Sequence, residues 1–592
     1  MFRPLAASLI AGLTLSTASL AAEVDVVVPG NYGDLTDDLR AASLSVRTVD
    51  EGTTDGQDLI AAAKADYRRM LAALYEAGHF SGAVSIKVDG REAANLSVLN
   101  RVPSVNRIEI QVTPGPTFRF SRAQIAPLPQ GETPAEGYAA GELATTPVMR
   151  EAAEKGVTDW REDGHAKAAV SGQQITANHA ANTIAADIRL APGPRLSFGR
   201  TLLTPETANS SVRAERIRAI AGLPEGEVFS PQEVTTAERR LRRTGAFRSA
   251  VVNEAETPNA DGTLDMIVDV EDAKPRRFGA GVELSSTEGV AVTGYWMHRN
   301  FFGGAERFRV DGNIGGYNGD LDGIDYGISA SLTRPAFRHP DMNLRFGALL
   351  QHLDEPGYRA DLAEATVGIE RFITENLTAE LDFGVRLSSV DDAFGSRNFN
   401  HIIGRGKLQW DRRDDDLDPR RGLFAEVEAE PFIGFDGSDT GARLYGDFRG
   451  YYPLGESFSL AGRVQAGSVL ASTLAQTPPD YLFFSGGGGT VRGQDYQSLG
   501  GSVVGGEVVG GRSFVGLSGE IRTKITQNIG LVGFVDYGYV ASGPDFTGGD
   551  WHAGAGVGGR YYTPIGPIRF DVAVPISGES GFGVYVGIGQ SF

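Results

Sequence analysis

The sequence predicts three α/β repeats of β-α-α-β-β order followed by an all-β transmembrane barrel of about sixteen antiparallel strands. Three observations carry this. From about Arg276 onward, segments alternate with period two, apolar on one parity and polar or small on the other, between Gly/Asp/Asn/Ser turns. Beyond the N-terminus no stretch approaches twenty continuous apolar residues, so a membrane span has to be a closed barrel rather than a helix. Ahead of the barrel, two short markers recur in phase, with Pro116, Pro194 and Pro275 spaced 78 and 81 residues apart.

The chain opens with Met1-Phe2-Arg3 and a short apolar run from Leu5 to Leu13, the pattern of a secretory signal, and Ser19-Leu20-Ala21 is the expected cleavage site. Thr14, Ser16 and Thr17 interrupt the run too soon for a membrane anchor. The expected organisation is a signal peptide at 1–21, repeats at 24–114, 117–192 and 195–273, and a barrel at 276–592.

The first repeat marker is G-x-x-x-x-A-V, at Gly78 to Val84, Gly164 to Val170 and Gly245 to Val251. A helical pattern precedes it, most clearly at Ala65 to Tyr75 and Ala237 to Arg243, so the glycine is expected to end a helix and Ala-Val to begin a strand. The second marker, Pro114-Gly115-Pro116, Pro192-Gly193-Pro194 and then Lys274-Pro275, closes a β-rich run each time. In the barrel, roughly 20 residues per strand and connection give about sixteen strands. The last segment, Phe582 to Phe592, sets Phe582, Val584, Val586 and Ile588 against Gly583, Gly587, Gly589 and Ser591.

Val491-Arg492-Gly493-Gln494-Asp495-Tyr496 places an arginine inside this barrel, just after Ser485-Gly486-Gly487-Gly488-Gly489, which is too small and flexible to pack as a strand. In Gly530 to Tyr537, one parity carries Leu531, Val535 and Tyr537 and the other Phe534 and Asp536; Glu520 likewise opposes the apolar parity of its segment. Both carboxylates then face the polar interior, where a loop arginine folded inward would meet them. A partly desolvated pair of this kind is costly to break from one side.

This constellation resembles the outer-membrane assembly factor superfamily, whose members join periplasmic POTRA domains to a barrel with an inward-folded loop carrying V-R-G-[FY]. Val491, Arg492 and Gly493 match, Gln494-Asp495 intervene before Tyr496, and Phe534-Val535-Asp536 matches the family's F-x-D on a late strand. The resemblance implies a barrel-lock loop of Val491, Arg492, Gly493 and Tyr496 held by Phe534 and Asp536, with Glu520 added by its parity. The three repeats look like POTRA domains. Trp410 to Gly422 and Tyr562 to Asp571 look like signature turns of the TamA-like branch, the outer-membrane subunit of the translocation and assembly module and a relative of BamA. That branch has three POTRA domains, whereas BamA usually has five and two-partner secretion transporters two.

What the resemblance implies is a non-enzymatic outer-membrane factor that inserts proteins and assembles autotransporters, in a Gram-negative bacterium, with its POTRA domains in the periplasm. Its partners would be unfolded outer-membrane or autotransporter clients, a TamB-like protein anchored in the inner membrane, and outer-membrane lipid. Clients would enter at a weak barrel seam, where Gly583, Gly587 and Gly589 offer few side-chain contacts, and Phe592 would end the closing strand as the aromatic that insertion machinery recognises. Two rivals share the barrel: a two-partner secretion transporter exporting one dedicated polypeptide, and a passive porin.

Other chemistries find little footing. There is no cysteine for disulfides, thiol catalysis or thiolate metal sites, and a formal net charge of −20 argues against nucleic acid. Gly554 to Gly559 fits G-x-G-x-x-G but opens onto a strand, so it lacks the helix N-terminus that dinucleotide binding needs. Asp414, Asp415, Asp416 and Asp418 read as a solvated or arginine-paired turn rather than a cation site. With neither H-E-x-x-H nor G-x-S-x-G in the chain, no catalytic residue, metal or cofactor is expected.

Overall fold

The computed structural model describes residues 22–592 except 31, 98–103, 287, 318–322, 472, 565, 578–580 and 591; the signal segment 1–21 and Ser591 therefore lie outside the described residues. The chain forms two compact units, one holding the first two repeats and the other the barrel with most of the third.

In the first unit, repeat one runs β1 (Glu23–Val27), α1 (Gly33–Ala42), α2 (Leu44–Asp50), α3 (Gly56–Glu76), β2 (Ala83–Val88), β3 (Arg91–Glu92) and β4 (Arg107–Thr113), in sheet order β1-β4-β2-β3. Leu59, Ile60, Met70 and Leu74 of α3 pack on Ile86, Ile108 and Ile110 of the sheet. Repeat two is β5 (Arg119–Ala126), α4 (Thr146–Glu162), β6 (Ala169–Asn178) and β7 (Thr183–Ala191), with β7 central. The β-α-α-β-β order thus gains a helix in the first repeat and loses one in the second. Pro127, Pro129, Gly131, Pro134, Gly137 and Gly141 prevent a helix between β5 and α4. Tyr138 is buried there against Phe120 and donates its hydroxyl to the Ala186 carbonyl at 3.0 Å, so a loop covers this part of the sheet.

The two markers stay in phase because they touch. Gly78 and Gly164 leave their helices at φ +85° and +96°, which favours glycine. The next residue in each marker, His79 or His165, donates its ring Nδ1 to the carbonyl of Gly115 at 2.9 Å or Gly193 at 2.8 Å, inside the Pro-Gly-Pro marker. The helix end is thereby tied to the exit of the same repeat's sheet. Ala246 stands in the histidine's place in the third repeat, where its carbonyl accepts from Ala273 at 2.8 Å.

The third repeat is β8 (Ser197–Leu203), α5 (Pro205–Ala208), α6 (Ala214–Ala221), α7 (Pro231–Arg243), β9 (Phe247–Glu254) and β10 (Thr263–Asp272), in sheet order β8-β10-β9. Here the strand starts at Phe247, three residues ahead of Ala250-Val251, because the buried Phe247 already belongs to the core face. Within the second unit, α7 grips the barrel turn before Met342. Arg240 chelates Asp341 at 3.0 and 2.7 Å, and Arg243 adds a third bond at 3.1 Å. Just past α6, Gly222 approaches Pro340 so closely that a Cβ would lie 2.2 Å from the ring.

The barrel strands are β11 (Arg276–Ser285), β12 (Gly289–His298), β13 (Arg307–Tyr317), β14 (Asp325–Arg334), β15 (Met342–Glu355), β16 (Tyr358–Phe372), β17 (Leu377–Asp392), β18 (Gly395–Asp411), β19 (Gly422–Phe435), β20 (Gly441–Leu454) and β21 (Phe458–Leu470). After a long loop that carries the small hairpin β22 (Ser502–Val504) and β23 (Glu507–Val509) come β24 (Ser513–Lys524), β25 (Ile529–Ala541), β26 (Gly549–Thr563), β27 (Gly566–Pro575) and β28 (Gly583–Ile588). Apart from that hairpin, these strands close into a sixteen-stranded antiparallel barrel. In β17, Leu381, Phe383, Val385 and Leu387 face out and are exposed, while Asp382 and Ser388 are buried toward the lumen. An apolar band of this kind suits lipid and would be a liability in water. Among the described residues no helix is long and apolar enough to cross a membrane.

Candidate functional site

The loop between β21 and β24 folds into the lumen and carries Arg492 to the inner face of β24–β27, where it is 1 % exposed. Period two fixes what it meets. Glu520 on β24, Phe534 and Asp536 on β25 and Asp571 on β27 are all buried, whereas their odd-numbered neighbours Ile521 and Val535 face outward. Arg492 donates Nε and Nη2 to the two oxygens of Asp536, at 2.7 and 3.0 Å, and its backbone N–H to the same carboxylate at 3.2 Å. Its Nη1 stands 2.9 Å from Glu520 Oε1 and 3.3 Å from Asp571 Oδ2. The guanidinium carbon lies 3.5 Å from the centre of the Phe534 ring, a cation–π contact. Arg522 pairs with Glu520 and Arg560 with Asp571, so three buried arginines balance three buried carboxylates.

The backbone around Arg492 is as constrained as its side chain. Gly493 sits at φ +92°, and a Cβ there would lie 2.8 Å from the Val574 backbone, so both conformation and space require glycine. Its N–H donates to the Tyr585 hydroxyl on β28 at 3.0 Å, tying the loop to the closing strand. Val491 is buried beside Gly538, and a Cβ on Gly554 would fall 2.0 Å from the Arg492 carbonyl oxygen. The glycine run 554–559 therefore makes room on β26 for the loop. Gln494 follows Gly493 and donates to the carbonyls of Ala553 at 2.8 Å and Ser577 at 2.6 Å. Tyr496 sits apart from the arginine, its hydroxyl 3.3 Å from Glu355.

The structure thus brings Val491, Arg492, Gly493, Glu520, Phe534 and Asp536 together and leaves Tyr496 at a separate contact. Five participants escaped the sequence reading: Asp571, Arg522, Arg560, Tyr585 and Glu288, which accepts the Gly488 N–H at 2.6 Å. Parity alone could have flagged Asp571 and Tyr585 as luminal; their height beside Arg492 depends on the barrel's register.

At the seam, the ladder between β28 and β11 among the described residues is Leu284↔Val586 and Ser285↔Tyr585, whereas β11 and β12 share ten register pairs. Next to it, Ser286 donates its N–H to the Val584 carbonyl and accepts the Val584 N–H at its hydroxyl, both at 3.0 Å. Gly583 and Gly587 lie on the buried parity with Tyr585, and Gly587 stands near Glu283. Two expectations need correcting. The closing strand ends at Ile588 rather than running to Phe592, because Gly589 turns at φ +97° and gives its N–H to the Pro567 carbonyl. Gly589 is therefore outside the seam ladder, and Phe592 is buried inward against Tyr451 and Ala461, with its carbonyl 3.0 Å from Arg522 Nη2. Gln590 joins Arg560 and Asp418, both at 2.8 Å, so the tail rests on the same arginines that balance Glu520 and Asp571.

The acidic turn serves structure. Asp414 accepts the N–H groups of Arg420 and Arg421, Asp415 those of Leu417 and Asp418, and among the described residues no group of His, Cys, Asp or Glu is placed to hold a metal.

Comparison with known proteins gives the same architecture. Residues 300–592 match the Omp85 superfamily domain, and residues 207–272 match the POTRA domain described as the surface antigen variable number repeat. The outer membrane protein assembly factor BamA of Nitratidesulfovibrio vulgaris is 24% identical over 379 residues, covering 60% of this chain and 46% of that protein. The chain thus spans about half the length of this curated relative. The crystal structure of BamA from Haemophilus ducreyi lacking POTRA domains 1–3 superposes with a TM-score of 0.60 at 18% identity, over 80% of this chain and all of that one. CdiB from Acinetobacter baumannii superposes at 0.50 and 12% identity, over 80% and 90%. The barrel lies in the outer membrane of a Gram-negative bacterium, with the repeats in the periplasm. With an Omp85 barrel closing on itself in sixteen strands behind a matched POTRA repeat, this chain belongs to the Omp85 superfamily.

Proposed function

We propose that this protein inserts outer-membrane clients, autotransporters among them, by letting client strands pair at its seam, as a TamA-like factor would. The observation that carries the reading is the β11–β28 junction: two register pairs and the adjoining Ser286–Val584 bonds close it, and among the described residues β11 from Arg276 to Glu283 has no ladder partner on that side. In lipid an unpaired strand edge is costly, so this edge favours any strand that can add to it. Client folding supplies the energy. The POTRA repeats offer further edges on the periplasmic side, and a TamB-like protein anchored in the inner membrane is the proposed partner that delivers clients to them. Co-purification of such a protein with this chain from envelopes supports that partner, and its absence from stringent pull-downs argues against it. The proposed lock is Arg492 with Glu520, Phe534 and Asp536, which holds the loop against the inner face of β24 and β25.

The test closes the seam covalently, in a chain with no cysteine of its own. Leu284→Cys and Val586→Cys occupy register partners, and paired strands hold Cα atoms about 4.5–5.5 Å apart, within disulfide range. Oxidised protein is expected to be folded but inactive in client insertion, with reductant restoring activity. Full activity in a quantitatively crosslinked barrel would exclude entry at the seam and favour export of a dedicated polypeptide through the lumen.

A further inference from the structure

The luminal loop meets the barrel wall a second time, far from Arg492. Before reaching that arginine it makes a short turn, Pro479–Tyr481, against β16–β19. Arg386 on β17 pairs there with Asp480 and also holds Glu364 of β16 at 2.9 Å. Tyr481 donates its hydroxyl to Glu430 of β19, and Arg405 of β18 bridges Glu430 back to Glu364, the latter at 3.1 Å. The Arg386 guanidinium lies 4.7 Å from the Tyr481 ring centre. Among the described contacts this anchor shares no partner with the Arg492 cluster.

Two surroundings give the anchor a task. On one side is a charged luminal cavity of about 440 Å3, lined by Arg345, Glu380, Lys407 and Glu428 among others, with Asp480 and Tyr481 in its wall. On the other is an apolar cluster in which Tyr481 and Phe483 of the loop pack on Phe432, Val469, Phe514 and Val540 of the barrel. Tyr481 belongs to both, so a water-accessible chamber gives way to packed hydrocarbon at this residue.

We propose that Asp480 and Tyr481 are positioning residues for a permeability seal: their bonds to Arg386 and Glu430 hold the loop's apolar packing against β18–β25 and keep the barrel closed to ions and small polar solutes. The apolar contacts alone are non-directional and tolerate sliding. The Asp480–Arg386 pair fixes the height of this packing, because sliding the loop would part Asp480 from its guanidinium in a partly desolvated site that also holds Glu364 and Glu430. The proposal goes beyond the insertion reading and does not depend on it.

Ion conductance of the purified full-length protein in planar bilayers tests the seal directly. Asp480→Asn with Tyr481→Phe keeps the size of both side chains, removes the Asp480 charge and deletes the Tyr481 hydroxyl bond; it is expected to raise conductance about tenfold, the weight of one net hydrogen bond. Asp480→Glu, which keeps the charge, is expected to stay closed, and so is Arg463→Met, which breaks a luminal pair with Asp447 that contains no loop residue. The folded, heat-modifiable fraction should be the same in all variants. A folded double variant as tight as the parent overturns the proposal, and so does Arg463→Met leaking as much as the double variant. If the double variant fails to fold, Tyr481→Phe alone, which loses a single oxygen atom, replaces it, and a tight barrel then overturns the proposal equally.

Discussion

Arg492 faces three carboxylates at once, and its removal leaves Asp536 with no arginine partner among the described contacts. Breaking a buried cluster from one side costs on the order of 3–5 kcal/mol. Arg492→Ala is therefore expected to lower the temperature at which the folded barrel converts to its heat-denatured form and to make the loop protease-sensitive. A loop that stays protected with normal client insertion would remove the lock from the proposed function. Gly493→Ala tests the same place through the backbone: φ +92° and the Val574 contact should cost about 1–3 kcal/mol and loosen the loop without touching a charge. Arg492, Glu520 and Asp536 were legible because a loop motif and strand parity both act locally. Arg522, Arg560 and Asp571 were not, since parity says which way a side chain points and leaves its height in the barrel open.

Among the elements, the in-phase markers were legible as helix end and sheet exit, and their direct contact through His79 and His165 explains the spacing. Helix number was less legible. The loss of a helix in the second repeat follows from six proline and glycine residues between β5 and α4, a breaker density that the β-α-α-β-β template overrode in the reading. The α7–turn clamp, joining residues a hundred positions apart, leaves no sequence signal. It does make a pH prediction. Burial pushes the Asp341 carboxyl up, but hydrogen bonds and charge from Arg240 and Arg243 outweigh it and bring the pKa down to about 2. A carboxyl depressed in the folded state stabilises above its ordinary range, and that contribution fades as pH falls from about 4 through about 2. A nitroxide on Gln232→Cys of α7 should be immobile at neutral pH and gain mobility over that window. With Asp341→Asn it should be mobile throughout, and equal immobility in both proteins would show that the clamp does not hold α7.

For the whole molecule, the sixteen strands were legible from length and alternation, but the way the barrel ends was not, because a period-two pattern runs through Gly589 to Phe592 while the backbone leaves the sheet at Gly589. That departure changes how closure is held. Two register pairs and the adjoining Ser286–Val584 bonds at the seam supply net hydrogen bonds worth roughly 0.5–1.5 kcal/mol each, far less than the ten-pair ladder between β11 and β12. The tail adds to them from inside: Phe592 packs on Tyr451 and Ala461, Arg522 holds its carbonyl, and Gln590 bridges Arg560 to Asp418. Because Arg522 and Arg560 also serve Glu520 and Asp571, tail and loop compete for the same charges, and one cannot move without re-pairing the other. Arg522→Met removes the tail's hydrogen bond and one charge of the cluster together. It is expected to lower the heat-conversion temperature of the barrel more than Arg463→Met, which breaks a less buried luminal pair with Asp447 away from the tail. It should also speed maleimide labelling of Gln590→Cys. Equal destabilisation by the two variants, with unchanged labelling, would mean that the tail is carried by the barrel rather than helping to close it.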